Sequence, residues 1–317
     1  MRSSQELRTD RPSQNPAGQA GPGSALRTDQ RVVEPQSVLE GAGVRLKRTI
    51  ASAALNYLDP FLLLDHFASD NPEDYIRGFP WHPHRGIETV TYMLAGIVQH
   101  RDSIGNAGTI GAGDVQWMTA GGGIMHEEMP KPKDGPTGPH QMAGFQLWVN
   151  LPARLKMTRP RYQEIAAARI PEVRRGEIRI KVIAGQVDGV HGPVTEIVAD
   201  PTYLDVSIPA HSAFVQPIAR GHTAFAYSFE GQAAFGVTSS GEGEIICAPA
   251  LAIFGDGDAV GVRTAEQAVR FLLVSGLPLG EPIARWGPFV MNTREEIEQA
   301  LRDLRNDTFV YGSKPGA

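Results

Sequence analysis

The chain has 317 residues, 41% of them hydrophobic, enough to fill the cores of two ordinary domains. A net charge of −5 and a pI near 6.0 argue against a general affinity for nucleic-acid phosphates, and no apolar run approaches the length of a membrane span. The single cysteine, Cys247, leaves no intramolecular disulfide and suits a reducing, cytoplasmic setting.

Residues 1–30 are rich in Arg, Gln, Ser, Pro and Gly and poor in bulky apolar side chains, which predicts a disordered tail without a secretory signal. Beyond it, 35 glycines and 24 prolines fit short strands joined by tight turns. "GVRLKRTIAS" reads as a strand and "LDPFLLLDHFAS" as a buried apolar segment, with Asp65 and His66 capping a turn or, alternatively, lining the pocket mouth. The polar loop "ASDNPEDYIRGFP" then leads into "FPWHPHRGIETVTYMLAG", Phe79 to Gly96. His82 and His84 lie two residues apart, so on a strand they share one face and can bind one ion. The same parity continued places Glu88, Val90, Tyr92 and Leu94 on the histidine side, with Phe79 and Trp81 as candidate cavity walls.

"IVQHRDSIGNAGTIGAGD" reads as a hairpin and a polar turn, which puts His100 and Asp102 at the surface or the pocket edge. "GAGDVQWMTAGGGIMHEEMP" supplies a second pair: His126 and Glu128 share a face, and Glu127 points the other way. Two such pairs give three imidazoles and one carboxylate. Parity equally permits Glu88 as the carboxylate ligand, and spacing does not decide between the two. Trp117, Met118 and Met125 are candidate apolar walls, and "KPKDGPTGPHQ", with His140, is a loop bordering the entrance. "GFQLWVNLPARLK" closes a first domain spanning 31–160, and a second spans 161–317.

The second half echoes the first. Counting from the landmarks Gly231 and Gly257 puts Pro217, Ala219, Arg270 and Leu272 where the first half has its four candidates, so no comparable metal site is expected there. His191, His211 and His222 form no pair, and Cys247 in "EIICAPALAIF" reads as a buried small hydrophobe. "GPFVMNTREEIEQALRDLRNDTF" holds the one clear helix, capped by Asn292 or Thr293, with Glu295 and Glu296 in its first turn and Ile297, Leu301 and Leu304 at helical spacing. It is expected to pack across the outside of a barrel.

"HPHRGIETVTY", "GDVQWMTAG", "GIMHEEMP", "QLWVNLP" and "GPFVMNT" together resemble the pirin family of the cupin superfamily, over about Leu46 to Asn306. The resemblance implies an all-β fold of two tandem cupin (jelly-roll) β-barrels with a short C-terminal helix. It also implies one non-haem Fe(2+) in the N-terminal barrel, ligated by His82, His84, His126 and Glu128. It thereby selects Glu128 over Glu88, leaving Glu88 to accept an imidazole N–H. Such a ligand set also suits Mn, Ni, Cu or Zn, and four ligands around an octahedral ion leave two positions for a substrate oxygen and dioxygen. Several pirins resemble quercetin 2,3-dioxygenases, which implies a flavonol substrate whose 3-hydroxyl proton passes to Glu128. Others resemble redox-sensitive regulatory modules that act on a protein partner, as transcriptional cofactors or modulators of metabolic enzymes.

Overall fold

A computed structural model describes residues 25–131, 141–238 and 240–312. They form two tandem cupin barrels and one short C-terminal helix. In the first barrel a seven-stranded sheet runs in the spatial order Arg161–Ile165, Val115–Thr119, Ile87–Ala95, Met142–Asn150, Phe61–Ser69, Val44–Ile50 and Gln36–Glu40. A four-stranded sheet of Phe79–His84, Ile124–Lys131, Ile97–Asp102 and Ala107–Gly111 meets it across the interior. Period-two burial is clearest in Ile124–Lys131, where buried and half-buried residues alternate as a strand with one face inward requires. The second barrel is organised on the long strand Thr223–Phe235, which bends at Ser228/Glu230 and pairs with four neighbours. Among the described residues no helix is long and apolar enough to cross a membrane.

The two barrels pack sheet against sheet. Val90, Tyr92, Trp117, Phe145 and Leu147 of the first meet Tyr203, Phe225, Tyr227 and Leu272 of the second in one buried cluster, each such side chain contributing on the order of 2 kcal/mol by burial. Phe61 stands edge-on to Phe225 at 5.2 Å and Tyr92 edge-on to Tyr203 at 6.3 Å. The polar contact in this seam is closed: the Tyr92 hydroxyl donates to Asp205 at 2.6 Å, and Arg270 donates to both oxygens of Asp205 at 3.0 and 2.8 Å.

Asp65 and His66 lie within the strand Phe61–Ser69 rather than capping a turn. His66 stacks on Phe145 at 4.7 Å, and its Nδ1 is 3.2 Å from the Tyr227 hydroxyl. Burial, with a smaller contribution from Lys47, pushes its pKa down to about 4. It is therefore neutral in the folded protein and protonated in the unfolded chain between that value and its ordinary one, so the unfolded state binds more protons there and stability rises with pH across that window. Acidification from pH 7 to pH 5 is expected to withdraw about 2 kcal/mol through this one group. Urea unfolding of wild type and His66→Phe at both pH values measures it, the variant losing correspondingly less stability; equal losses would remove His66 from the account.

Each barrel is finished by the opposite end of the chain. Leu26–Arg27 runs parallel to Ala259–Arg263, and Asp29–Val33 pairs antiparallel with Ala250–Phe254 of the second barrel. Order thus begins earlier than the tail to residue 30 that composition predicts. The reason is a tertiary one: Arg27, 1% exposed, donates to the carbonyls of Ala219, His222, Gly255 and Gly257. Residues 1–24 lie outside the described part.

At the other end, the hairpin of Ala284–Trp286 and Phe289–Met291 and the helix Arg294–Arg305 pack on the first barrel. Thr293 and Glu296 form a reciprocal capping box, at 3.2 and 2.9 Å. Arg85, one residue past His84, donates to Asp303 at 2.6 Å and to the Phe309 carbonyl at 3.0 Å. Buried Lys156 donates to the carbonyls of Gly86 and Val290 and to Asn150 Oδ1 at 2.7 to 2.9 Å.

Candidate metal centre

The strand Phe79–His84 ends at Arg85-Gly86, and Ile87–Ala95 belongs to the other sheet. Gly86 takes a φ of +80° at this corner, which resets the alternation. Thr89, Thr91 and Met93 therefore take the inward parity, while Val90 and Tyr92 enter the seam between barrels. This overturns the expectation that Glu88, Val90, Tyr92 and Leu94 continue the histidine face. Glu88 accepts from Trp117 Nε1 at 3.0 Å and Thr119 Oγ1 at 2.7 Å, so it serves no imidazole.

Three histidines do converge. His126 is the direct cross-strand neighbour of His82, and Ile124 of His84, so the parity of two adjacent strands brings His82, His84 and His126 together. Their ring centroids are 4.3 Å (82–126), 4.9 Å (82–84) and 5.0 Å (84–126) apart, and one nitrogen from each lies within 4.8 Å of the others. The His82 Nδ1 is 2.9 Å from the Pro80 carbonyl, an acceptor that assigns the proton to Nδ1 and leaves Nε2 as a lone pair. That lone pair faces His84 Nε2 at 3.1 Å. Neither ring nitrogen of buried His126 has a hydrogen-bond partner. Burial holds His84 and His126 well below the ordinary histidine pKa and lowers His82 as well. Buried neutral imidazoles whose ring nitrogens converge within 4.8 Å form a set that a divalent cation can complete.

Glu128 is buried two residues on, across a register break opposite Phe79. Its Oε1 accepts from Thr91 Oγ1 at 3.0 Å, and burial, opposed in part by that bond, pushes its pKa up to about 7. Its oxygens are not within the tight cluster of histidine nitrogens, but it lines the same cavity. Glu127 points away, to Arg101 at 2.5 Å.

The cavity is about 580 Å³. Leu46, Leu63, Phe67, Phe79 and Trp148 form its apolar walls, with His82, His84 and Glu128 reaching into it. Gln146 and the bidentate pair of Arg48 with Asp65, at 2.8 and 2.7 Å, are its polar wall, and Arg285, Gly287 and Pro288 of the C-terminal hairpin edge it. Three expected wall residues lie elsewhere: Trp117 is in the seam between barrels, Met118 packs with Leu62 and Ile87, and Met125 packs against the C-terminal helix cluster. Trp81 is exposed, beside Arg101.

His100 and Asp102 sit on the strand Ile97–Asp102 and are buried, not surface residues of a turn; His100 Nε2 meets Glu164 at 2.8 Å, and Asp102 accepts from the Ile104 and Asn106 amides. Cys247 is exposed, its thiol 3.3 Å from Gln232 Oε1, because the alternation of Glu244–Cys247 turns Ile246 inward instead. His140 lies outside the described residues. Of the four counted positions in the second barrel, Arg270 is paired with Asp205 and Leu272 is in the seam. Sequence reasoning missed Thr91, Trp148 and Arg285. The first two were recoverable from strand parity once the corner at Gly86 was known, whereas Arg285 carries no local signal.

Comparison with known proteins agrees with this architecture. Residues 43–149 match the Pirin family and residues 203–310 the Pirin C-terminal cupin domain. A pirin-like protein of Caulobacter vibrioides is 44% identical over 286 residues, covering 90% of this chain and 99% of that protein. Human Pirin is 41% identical over 270 residues, covering 84% and 88%. The crystal structure of a quercetin 2,3-dioxygenase from Acinetobacter baumannii superposes with a TM-score of 0.82 at 34% identity, covering 91% of this chain and 99% of that one.

Proposed function

The chain belongs to the pirin family of cupins, and from that premise we propose that it is a mononuclear non-haem iron(II) dioxygenase cleaving flavonols such as quercetin. The observation that carries this reading is the convergence of three neutral imidazoles at an apolar-walled cavity of about 580 Å³, a size typical of small-molecule sites. His82, His84 and His126 would hold the ion, with Glu128 as the fourth ligand. When bound, the ion supplies Lewis acidity and the one-electron chemistry that dioxygen requires.

The chain's own part is to bind, orient and deprotonate. Trp148, edge-on to His84 at 5.1 Å, and Phe79 offer ring surfaces to a flat aromatic substrate. Glu128, with its pKa near 7, is matched to taking the 3-hydroxyl proton at neutral pH, and Thr91 holds one carboxylate oxygen so that the other can receive it. In the overall reaction dioxygen adds across the heterocyclic ring, and the products are a depside and carbon monoxide.

Anaerobic reconstitution with Fe(II), followed by quercetin and air, tests the reading through quercetin loss and carbon monoxide release. Wild type is expected to turn over, and Glu128→Gln to fall by roughly 10² to 10⁴ in rate, with a smaller loss of bound iron. If wild type takes up one iron per chain and consumes no quercetin, the dioxygenase reading is wrong. A redox-sensitive binding module acting on a protein partner then takes its place.

A further inference from the structure

We infer that the cavity rim carries an anion subsite built on Arg285, and that the aromatic substrate carries an acidic group that meets it. This rests on the reading of the cavity as a substrate site and adds the charge of what it takes.

Two guanidinium groups reach the cavity, and they are not equivalent. Arg48 donates to both oxygens of Asp65 and to Glu40 at 2.6 Å, so its charge is matched within the protein. Arg285 forms no ion pair among the described residues. It donates to the carbonyls of Leu62 at 3.1 Å and Gly287 at 3.4 Å, while its second amino group, Nη2, makes no hydrogen bond to any of them. Arg285 is exposed at the rim, with Asp65 and Glu40 in electrostatic reach but bonded to Arg48, and its free donors can take an anion through charge-assisted hydrogen bonds.

Its placement ties it to the same wall as the histidines. The Arg285 guanidinium carbon lies 4.9 Å over the Trp148 ring, and the His84 ring is 5.1 Å from the same indole. Trp148 thus touches both a metal-binding imidazole and a cation. A ligand lying along the indole with one oxygen at the histidines can present another edge to Arg285. The cation is also firmly mounted. Its strand pairs Ala284 with Met291, and Val290 beside that partner is held by Lys156. A planar fork with free donors suits a carboxylate or phenolate, which it can engage through two parallel bonds.

The probes are 3-hydroxyflavone and its 4′-carboxylate, which differ only in a distal charge and report binding through their own fluorescence. Titrations use the full chain loaded with Fe(II) under anaerobic conditions, and repeat with the metal-free chain. Wild type is expected to bind the carboxylate about tenfold more tightly than the parent, with the preference shrinking as salt is raised. Arg285→Gln should bind both compounds alike, and Arg285→Lys should restore part of the preference. A preference that survives Arg285→Gln, or a wild type with none, overturns the inference. Because binding is read without turnover, a protein that shows the preference yet cleaves no flavonol in air would refute the dioxygenase reading and leave the subsite standing.

Discussion

Alanine at position 126 is expected to empty the metal site. His126 lies 4.3 and 5.0 Å from the other two rings, and neither of its nitrogens has a protein partner to retain it for structural reasons. Replacing it leaves two imidazoles on one strand. Losing even an outer-sphere partner commonly costs 10- to 100-fold in metal affinity, and losing a ligand costs more, so bound metal after dialysis should fall from about one ion per chain to below about a tenth. Elemental analysis measures this directly. The thermal response gives an independent reading: metal at about 100 times its dissociation constant stabilises a binding protein by about 2.7 kcal/mol, a gain wild type should show and His126→Ala should lack. The metal-free variant should unfold no earlier than metal-free wild type near pH 5, because it no longer carries a buried histidine that must take up a proton on unfolding. A variant that retains one tightly bound ion would show that the histidine trio is not the site.

Gly86→Ala is expected to be the most destabilising single methyl in the first barrel. At φ +80° a side chain is strained, and a Cβ there would sit 1.9 Å from the Val290 carbonyl oxygen and 3.0 Å from Met291 Sδ. The left-handed backbone costs about 1–2 kcal/mol and the overpacking about 1–3 kcal/mol, giving an expected loss of roughly 3 kcal/mol or more. The clash falls on the peptide that Lys156 ties to Gly86, so relief means moving the hairpin that carries Arg285 and Pro288. Faster proteolysis within 284–312 should accompany the lower urea midpoint. Gly105→Ala is the control: its φ is +95° with nothing within 4 Å of the added carbon, so it should show the backbone cost alone. Equal effects at the two sites would mean that the hairpin contact contributes nothing.

The candidate pairs were legible because a strand places i and i+2 on one face, a rule that needs no tertiary knowledge, and the shared face held separately within 82–84 and 126–128, while only the three histidines cluster. It failed where it was carried across Gly86, because a corner between sheets has no parity to transmit; that one step moved Glu88 from the metal pocket to a Trp117–Thr119 site on the far side of its strand. His100 and Asp102 were misjudged for a related reason: a polar sequence resembles a turn, yet both side chains are buried on a strand, His100 beside Glu164 and Asp102 accepting from the Ile104 amide. The all-β architecture and the capped helix follow from local pattern. Arg285 and the ordering of Arg27 do not, since each gets its meaning from residues about 200 positions away.

The exchange of chain ends also bears on synthesis. The ribosome delivers all three histidines within the first 126 residues, but the corner glycine beside them is covered by Val290 and the cavity rim is completed by residues 285–288. The second barrel has the opposite problem: its sheet includes residues 26–33, made first and left waiting for partners at 250–263. Neither barrel can be cut out along the sequence and remain whole, and the cavity beside the histidines is finished only once residues 285–288 have been made. Pairings this distant are slow to form, so metal uptake should wait for residues 284–291 instead of accompanying synthesis of the histidine strands.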